Sequence, residues 1–109
     1  MNHGTFEKGE KFEAGKMVEV QEGAIVSRTL IDYPTGTVTL FAFHRGQGLS
    51  EHTAPYDALV QVLEGKAEIS LAGTPQIVEK GEWLIMPANV PHGLRAIEDF
   101  KMALVMIRS

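Results

Sequence analysis

Beyond its first sixteen residues the chain reads as short runs of apolar and β-branched residues separated by turn-forming clusters. The runs predict strands over residues 17–20, 25–30, 38–43, 59–63, 67–71, 76–78, 83–86 and 101–107. Between them, residues 21–23, 32–36, 45–48, 64–66, 72–75 and 79–81 carry the Gly, Pro, Asp or Thr that tight reversals use. Gly65 is placed to take a positive φ in a hairpin joining 59–63 to 67–71. No run outside the termini holds an apolar 3.6-residue rhythm long enough for a core helix. The most helical stretch is 57–63, where Val60, Val62 and the glycine that follows favour a strand.

In runs 38–43 and 101–107 both alternating sets of side chains are largely apolar, so these strands need cover on two faces. The pattern therefore predicts an all-β chain folded as a small antiparallel barrel or sandwich of two packed sheets with a further interface. Residues 1–16 read as a polar N-terminal arm without useful periodicity, either loose or ordered only against another part of the protein or a second subunit. Residues 17–109 form a single domain, in keeping with the chain length. The apolar run 100–107 serves as the last core strand and adds a contact surface for a homodimer.

Composition narrows the chemistry. The chain has no cysteine, which removes disulfides, thiolate nucleophiles and cysteine-ligated metal centres together and suits a reducing cytoplasm. The formal charge is -4 and the basic residues are scattered beside acids, so nucleic acid is not an expected partner. The apolar stretches are too short to span a bilayer and the N-terminus lacks an apolar signal core, so no membrane association is expected. Ser50 and Ser70 lack a glycine-framed nucleophile turn, and Gly46 and Gly48 precede no convincing helix that would make a phosphate loop.

The candidate functional residues are His52 and His92, each in a stretch marked by glycine and proline. Around the first stand Gly46, His52, Ala54, Ala58 and Gly65; around the second stand Gly81, Pro87, Asn89, His92 and Ala96. These two stretches resemble the motifs of the cupins, specifically the small single-domain conserved-barrel type. The first family motif is glycine, five residues, His-x-His, three or four residues, glutamate, six residues, glycine. The second is glycine, five residues, Pro-x-Gly, two residues, histidine, three residues, asparagine. The first histidine, the outer glycines, the proline and the second-motif histidine are kept. Ala54 stands for the second histidine, Ala58 for the glutamate, Asn89 for the inner glycine and Ala96 for the asparagine. Residues 46–96 carry the resemblance, and the flanking β-rich segments extend it over nearly the whole chain.

The resemblance implies a jelly roll (double-stranded β-helix) and a dimer, often with an exchanged N-terminal strand. It also implies a metal centre, which maps here onto His52, Ala54, Ala58 and His92. Alanine has no donor atom, and a tight metal site normally has three or more protein ligands. Zn, Fe, Mn or Ni on His52 and His92 alone would be weakly held, and a metal-free pocket is preferred. Asp57 faces away from Ala58 if this part is a strand, and Glu51 and Gln61 have the wrong parity to complete the set. His44, at the end of run 38–43, leans inward as a further candidate, and Tyr56 joins it with His52 and His92 as ligand-binding residues.

Phe41, Phe43, Trp83, Met86 and Met106 are candidates for cavity wall, with ordinary core as the commoner role. Ser27, Arg28 and Arg95 are candidates to meet an anion at the barrel mouth. The preferred function is a small-molecule-binding domain whose polar pocket, around His52 and His92, takes an anionic or hydroxyl-bearing molecule. The alternatives are a metal-dependent isomerase or oxygenase with a non-standard ligand set, and a structural or interaction module with a vestigial pocket.

Overall fold

The computed structural model describes residues 7–108; the first six residues of the polar arm, and Ser109, lie outside it. Among the described residues a 3-10 turn (Ala14–Lys16) precedes nine strands. These are β1 (Ile25–Tyr33), β2 (Gly36–Phe43), β3 (Gly48–His52), β4 (Ala58–Glu64), β5 (Lys66–Leu71), β6 (Thr74–Glu79), β7 (Trp83–Met86), β8 (His92–Ala96) and β9 (Phe100–Ile107). They form a five-stranded sheet in the order β1-β2-β9-β4-β7 and a four-stranded sheet in the order β3-β8-β5-β6. Every pairing is antiparallel, and the chain crosses between the sheets as a jelly roll does.

Strand alternation sets the core. On β4, Ala58, Val60 and Val62 are buried and face the second sheet, while Leu59, Gln61 and Leu63 face away from it. Opposite them, Ala67 and Ile69 of β5, Val78 of β6 and Leu94 and Ala96 of β8 complete the layer. The Phe43 and Phe100 rings stack at 4.5 Å with 9° between their planes and close one end of the sandwich. At that end Gly65 adopts φ +79, and a Cβ there would collide with Asp99 O and Phe100. The expected positive φ is present, but the expected hairpin is not: β4 and β5 belong to different sheets, so Gly65 turns a corner between layers.

The opposite face of the five-stranded sheet has its own cover over part of its area. Met17 and Val18 pack there on Leu40 and Ala42, joined by Ala14, Val20, Val26, Leu30, Leu63 and Ala103. The half-buried Lys101 anchors this segment by donating to Gly15 O at 2.6 Å. Residues 17–20 are therefore not a strand. Consecutive Met17 and Val18 are both buried, which the two-residue repeat of a strand lying on a flat face does not allow.

Two strands escape the sequence pattern. All five residues of β3 are exposed, so its edge position leaves no alternation to read, and β8 contains Gly93 among buried residues. Trp83 is not cavity wall: it and Ile85 are 58% and 59% exposed on the outward face, whereas Leu84 and Met86 turn inward. Their register against Gln61 and Leu59, which point outward on β4, imposes that choice. No helix among the described residues is long and apolar enough to cross a membrane.

The β5–β6 hairpin turns through Ala72 (φ 50) and Gly73 (φ 82), both in the left-handed region. Such a two-residue turn suits Asn-Gly, and a left-handed alanine costs about 1–2 kcal/mol. Ala72→Asn is expected to stabilise the domain by about 1 kcal/mol, raising its Tm by roughly 4–8 °C in a thermal melt. An unchanged or lower Tm would contradict the assigned turn.

Candidate functional site

At the end of the sandwich away from the Phe43–Phe100 stack, two crossovers run side by side. Residues 53–57 lead from β3 to β4, and residues 87–91 lead from β7 to β8. They are tied directly: Asn89 N–H donates to Ala54 O at 2.7 Å, and Ala88 N–H donates to the Asp57 carboxylate at 2.8 Å. Ala72 N–H, in the β5–β6 turn, adds a bond to Pro91 O at 2.8 Å. Asn89 has φ 65 where the motif has glycine. Asparagine is among the few other residues that tolerate this region, so the substitution preserves the backbone path into His92.

A bulge in β3 then aims the first histidine. Leu49 pairs with Leu94, and three residues later His52 pairs with His92, so the register shifts between them. In a regular strand Leu49 and His52 would point to opposite faces; the extra residue returns both to the inward face. Gly93 makes room for this: a Cβ there would stand 3.3 Å from Glu51 N and from Leu49 O. Glu51 consequently lines a cleft on the outer face with Glu68, Ser70 and Arg95.

The two imidazoles meet edge to face, with centroids 4.4 Å apart and 67° between planes. His92 is buried at 6% exposure, while His52, on the edge strand, is exposed. Each ring makes a short backbone bond through Nδ1, His52 to Ser50 O at 2.8 Å and His92 to Val90 O at 3.2 Å. A carbonyl can only accept, so Nδ1 carries the proton in both bonds. The Nε2 atoms are left as acceptors in the neutral rings and become donors when the rings are charged.

Inward side chains near the pair are less buried than those deeper in the sandwich. Leu71 pairs with His92; Leu104, Met106, Thr37 and Thr39 line the facing sheet, and all five are only half-buried. Phe43, Phe100, Val62, Ala67 and Ile69, further in, are fully enclosed. Burial thus falls off towards the histidines and is complete at the other end. Tyr56 lies on the 53–57 crossover at the histidine end, half-buried, with the Arg108 guanidinium 5.8 Å above its ring.

The remaining candidates separate from this group. His44 lies past the end of β2, beyond the Ala96 end of β8, which runs about 13 Å from His92. Its Nδ1 accepts from Gly23 N–H at 2.9 Å, and it lines an open depression of about 550 Å³ with Arg45, Glu98 and Asp99. Arg95 points outward beside Glu68, and Arg28 pairs in register with the outward Leu40, so neither stands at the mouth. Phe43 and Met86 are buried core, while Phe41 and Met106 remain half-buried along the inner wall. Thr37 and Thr39 offer inward hydroxyls that the sequence pattern does not single out. Their alternation with Val38 and Leu40 reads as an ordinary strand until the sheets define which face is inside.

The donor set does not fit a tightly held metal. Ala58 is buried and inward-facing but carries only a methyl group, and Ala54 supplies a carbonyl already bonded to Asn89. The Asp57 carboxylate is engaged by Ala88 N–H. Among the described residues no three His, Asp or Glu side chains converge on one point.

Known proteins give the same architecture. The chain is 33% identical to a conserved Streptococcus pyogenes protein of unknown function, superposing with a TM-score of 0.91 over 95% of this chain and 91% of the other. It is 43% identical to a cupin 2 conserved barrel domain protein from Leptotrichia buccalis, with a TM-score of 0.86 over 88% of this chain and 47% of the other. It shares 29% identity over 83 residues with the protein SchB of Streptomyces halstedii, spanning 75% of this chain and 60% of that one. Residues 39–108 match the cupin domain, a span that runs from β2 through both histidine motifs to the end of β9. With the jelly roll, the bulged His52 strand and the Asn89 turn into His92, that match establishes the chain as a member of the cupin family.

Proposed function

We propose that this cupin binds a small polar molecule, anionic or hydroxyl-bearing, at the open end of the sandwich, with His52 and His92 as its principal contacts. The observation that carries this reading is the imidazole pair at 4.4 Å, each ring held through Nδ1 so that Nε2 remains for a ligand. Thr37 and Thr39 add hydroxyls on the facing wall, while Leu71, Leu104 and Met106 provide apolar surface. This mixture of few polar groups on a mostly apolar wall suits a small-molecule site. Tyr56 contributes from the rim. A reducing cytoplasm is the proposed setting, consistent with the absence of cysteine.

A vestigial, purely structural pocket is disfavoured, because a packed centre would bury the inward residues near His92 as fully as those near Phe43. A metal-dependent isomerase or oxygenase draws on the same imidazole pair and requires a third donor. His52 and His92 could touch one divalent ion, but with two protein ligands the affinity would be low.

Ring resonances of His52 and His92 are expected to shift together when acetate, inorganic phosphate or a small polyol is titrated into the protein and followed by NMR. His52→Ala and His92→Ala should each weaken the responding ligand by about 10–100-fold, as loss of a charge-assisted hydrogen bond does. Silence of both rings towards all three probes would remove the proposal.

The motif register has its own test. Ala54→His combined with Ala58→Glu should convert weak zinc or nickel binding into near-stoichiometric binding after purification without chelators, read by elemental analysis. No gain in affinity would show that positions 54 and 58 do not converge with His52 and His92. Near-stoichiometric metal in the unaltered protein, abolished by His52→Ala, would instead establish the metal-dependent reading.

A further inference from the structure

We infer that Arg108 is the carboxylate-binding residue of the site proposed above, so that the ligand class is a hydroxy-carboxylate; the inference rests on that reading of His52 and His92. Strand register places the guanidinium. On β9, Met102, Leu104 and Met106 pack into the core from the inward face, whereas Ile107 is exposed on the outer one. Arg108 N–H donates to Thr35 O at 2.8 Å, which carries the β2–β9 ladder one step past the Gly36–Ile107 pair and keeps the alternation. Arg108 therefore shares the facing of Met106, about 7 Å further along the strand.

Tyr56 meets it from the neighbouring segment. Met106 pairs with Ala58, and Tyr56 precedes Ala58 by two positions, so Arg108 and Tyr56 stand one step beyond an inward-facing cross-strand pair. The guanidinium is 5.8 Å from the centre of the Tyr56 ring, within cation–π range. A guanidinium held against a ring still presents its planar fork of N–H donors. Among the described residues no carboxylate lies in ion-pair reach of it, and Asp57, beside Tyr56 in the chain, is engaged by Ala88 N–H. The pair is also tied to the histidines. Tyr56 follows His52 by four positions, a reach of at most about 14 Å, and Ala54 O between them accepts from Asn89 in the turn into His92.

Hydrogen-bond chemistry then divides the ligand in two. With Nδ1 donating to Ser50 O and Val90 O, the neutral rings of His52 and His92 present Nε2 as an acceptor. An acceptor takes the O–H of a ligand hydroxyl and repels a carboxylate oxygen. An anion bound at this end needs a donor of its own. Arg108 supplies one that is charged at every working pH and shaped to grip a carboxylate through two parallel bonds. A molecule with its hydroxyl on the imidazoles and its carboxylate on Arg108 satisfies both groups without charging either ring.

Titrations at about pH 8, where an ordinary imidazole is neutral, compare glycerate with glycerol and gluconate with sorbitol through the His52 and His92 ring resonances. Each acid is expected to bind about 10–100-fold more tightly than its matched polyol, the gain of a charge-assisted contact. Arg108→Gln should abolish that preference while the polyols bind as before, and Arg108→Lys should restore part of it. Arg108 is exposed and its backbone bond to Thr35 survives either change, so the fold is retained. His52→Ala should instead weaken acid and polyol alike. Arg95→Gln, on the outward face of the other sheet, should change nothing. Equal binding of acid and polyol by the unaltered protein would overturn the role of Arg108 and leave the histidine site standing. So would a preference for the acid that survives Arg108→Gln. Silence of both rings towards all four probes would remove the site and this inference together.

Discussion

Strands β2, β9 and β4 carry apolar side chains on both faces, and the organisation of the molecule follows from how those faces are covered. Their inner sides are satisfied by the four-stranded sheet, which packs against them to enclose the apolar core. Their outer sides cannot be left wet over the whole face. The chain answers in part by laying Met17 and Val18 across them, a tertiary demand strong enough to override the strand-like pattern of residues 17–20. Ile31 and Ile85, exposed on the same face of the sheet, are what remains of that requirement.

The site depends on a smaller constraint imposed on that frame. One extra residue in β3 reverses the facing of everything beyond it, and without it His52 would point away from His92. Gly93 leaves space for the bulge, and Asn89 supplies the left-handed turn that brings the chain into His92. Both crossovers are fastened to each other through Ala54, Asp57, Ala88 and Asn89, so the histidines are presented by a rigid rim. Asp57 acts as a backbone anchor between the crossovers. It lies next to the position of the missing glutamate, yet its carboxylate fixes backbone and is not offered to a metal.

Most of the fold can be read from the chain because turn chemistry and period-two patterning are local. Most glycines and prolines fall at or beside the reversals, and seven of the eight expected strands are real, residues 17–20 being the exception. The readings that fail concern facing and pairing. Val62, Gly65 and Ala67 look like a hairpin because a tight turn between two β runs is usually one, and only the layer arrangement reveals a corner. Trp83 could face either way until its register with Gln61 is known. His44 and His52 have the same chemistry in sequence, and the sandwich sends them to opposite ends.

The residue sequence by itself determined that this is an all-β chain with cupin motifs, that two histidines survive in them, and that alanine occupies two usual ligand positions. These are properties of residue identity and spacing, which no packing can alter. Tertiary structure alone decided that the His52 and His92 rings meet, that Thr37 and Thr39 face inward on β2, and that His44 lies away from the pair. It also decided which apolar face is left uncovered. The physical reason is that each of these outcomes depends on strand register and on which sheet lies opposite, and a single-residue shift in pairing exchanges inside for outside.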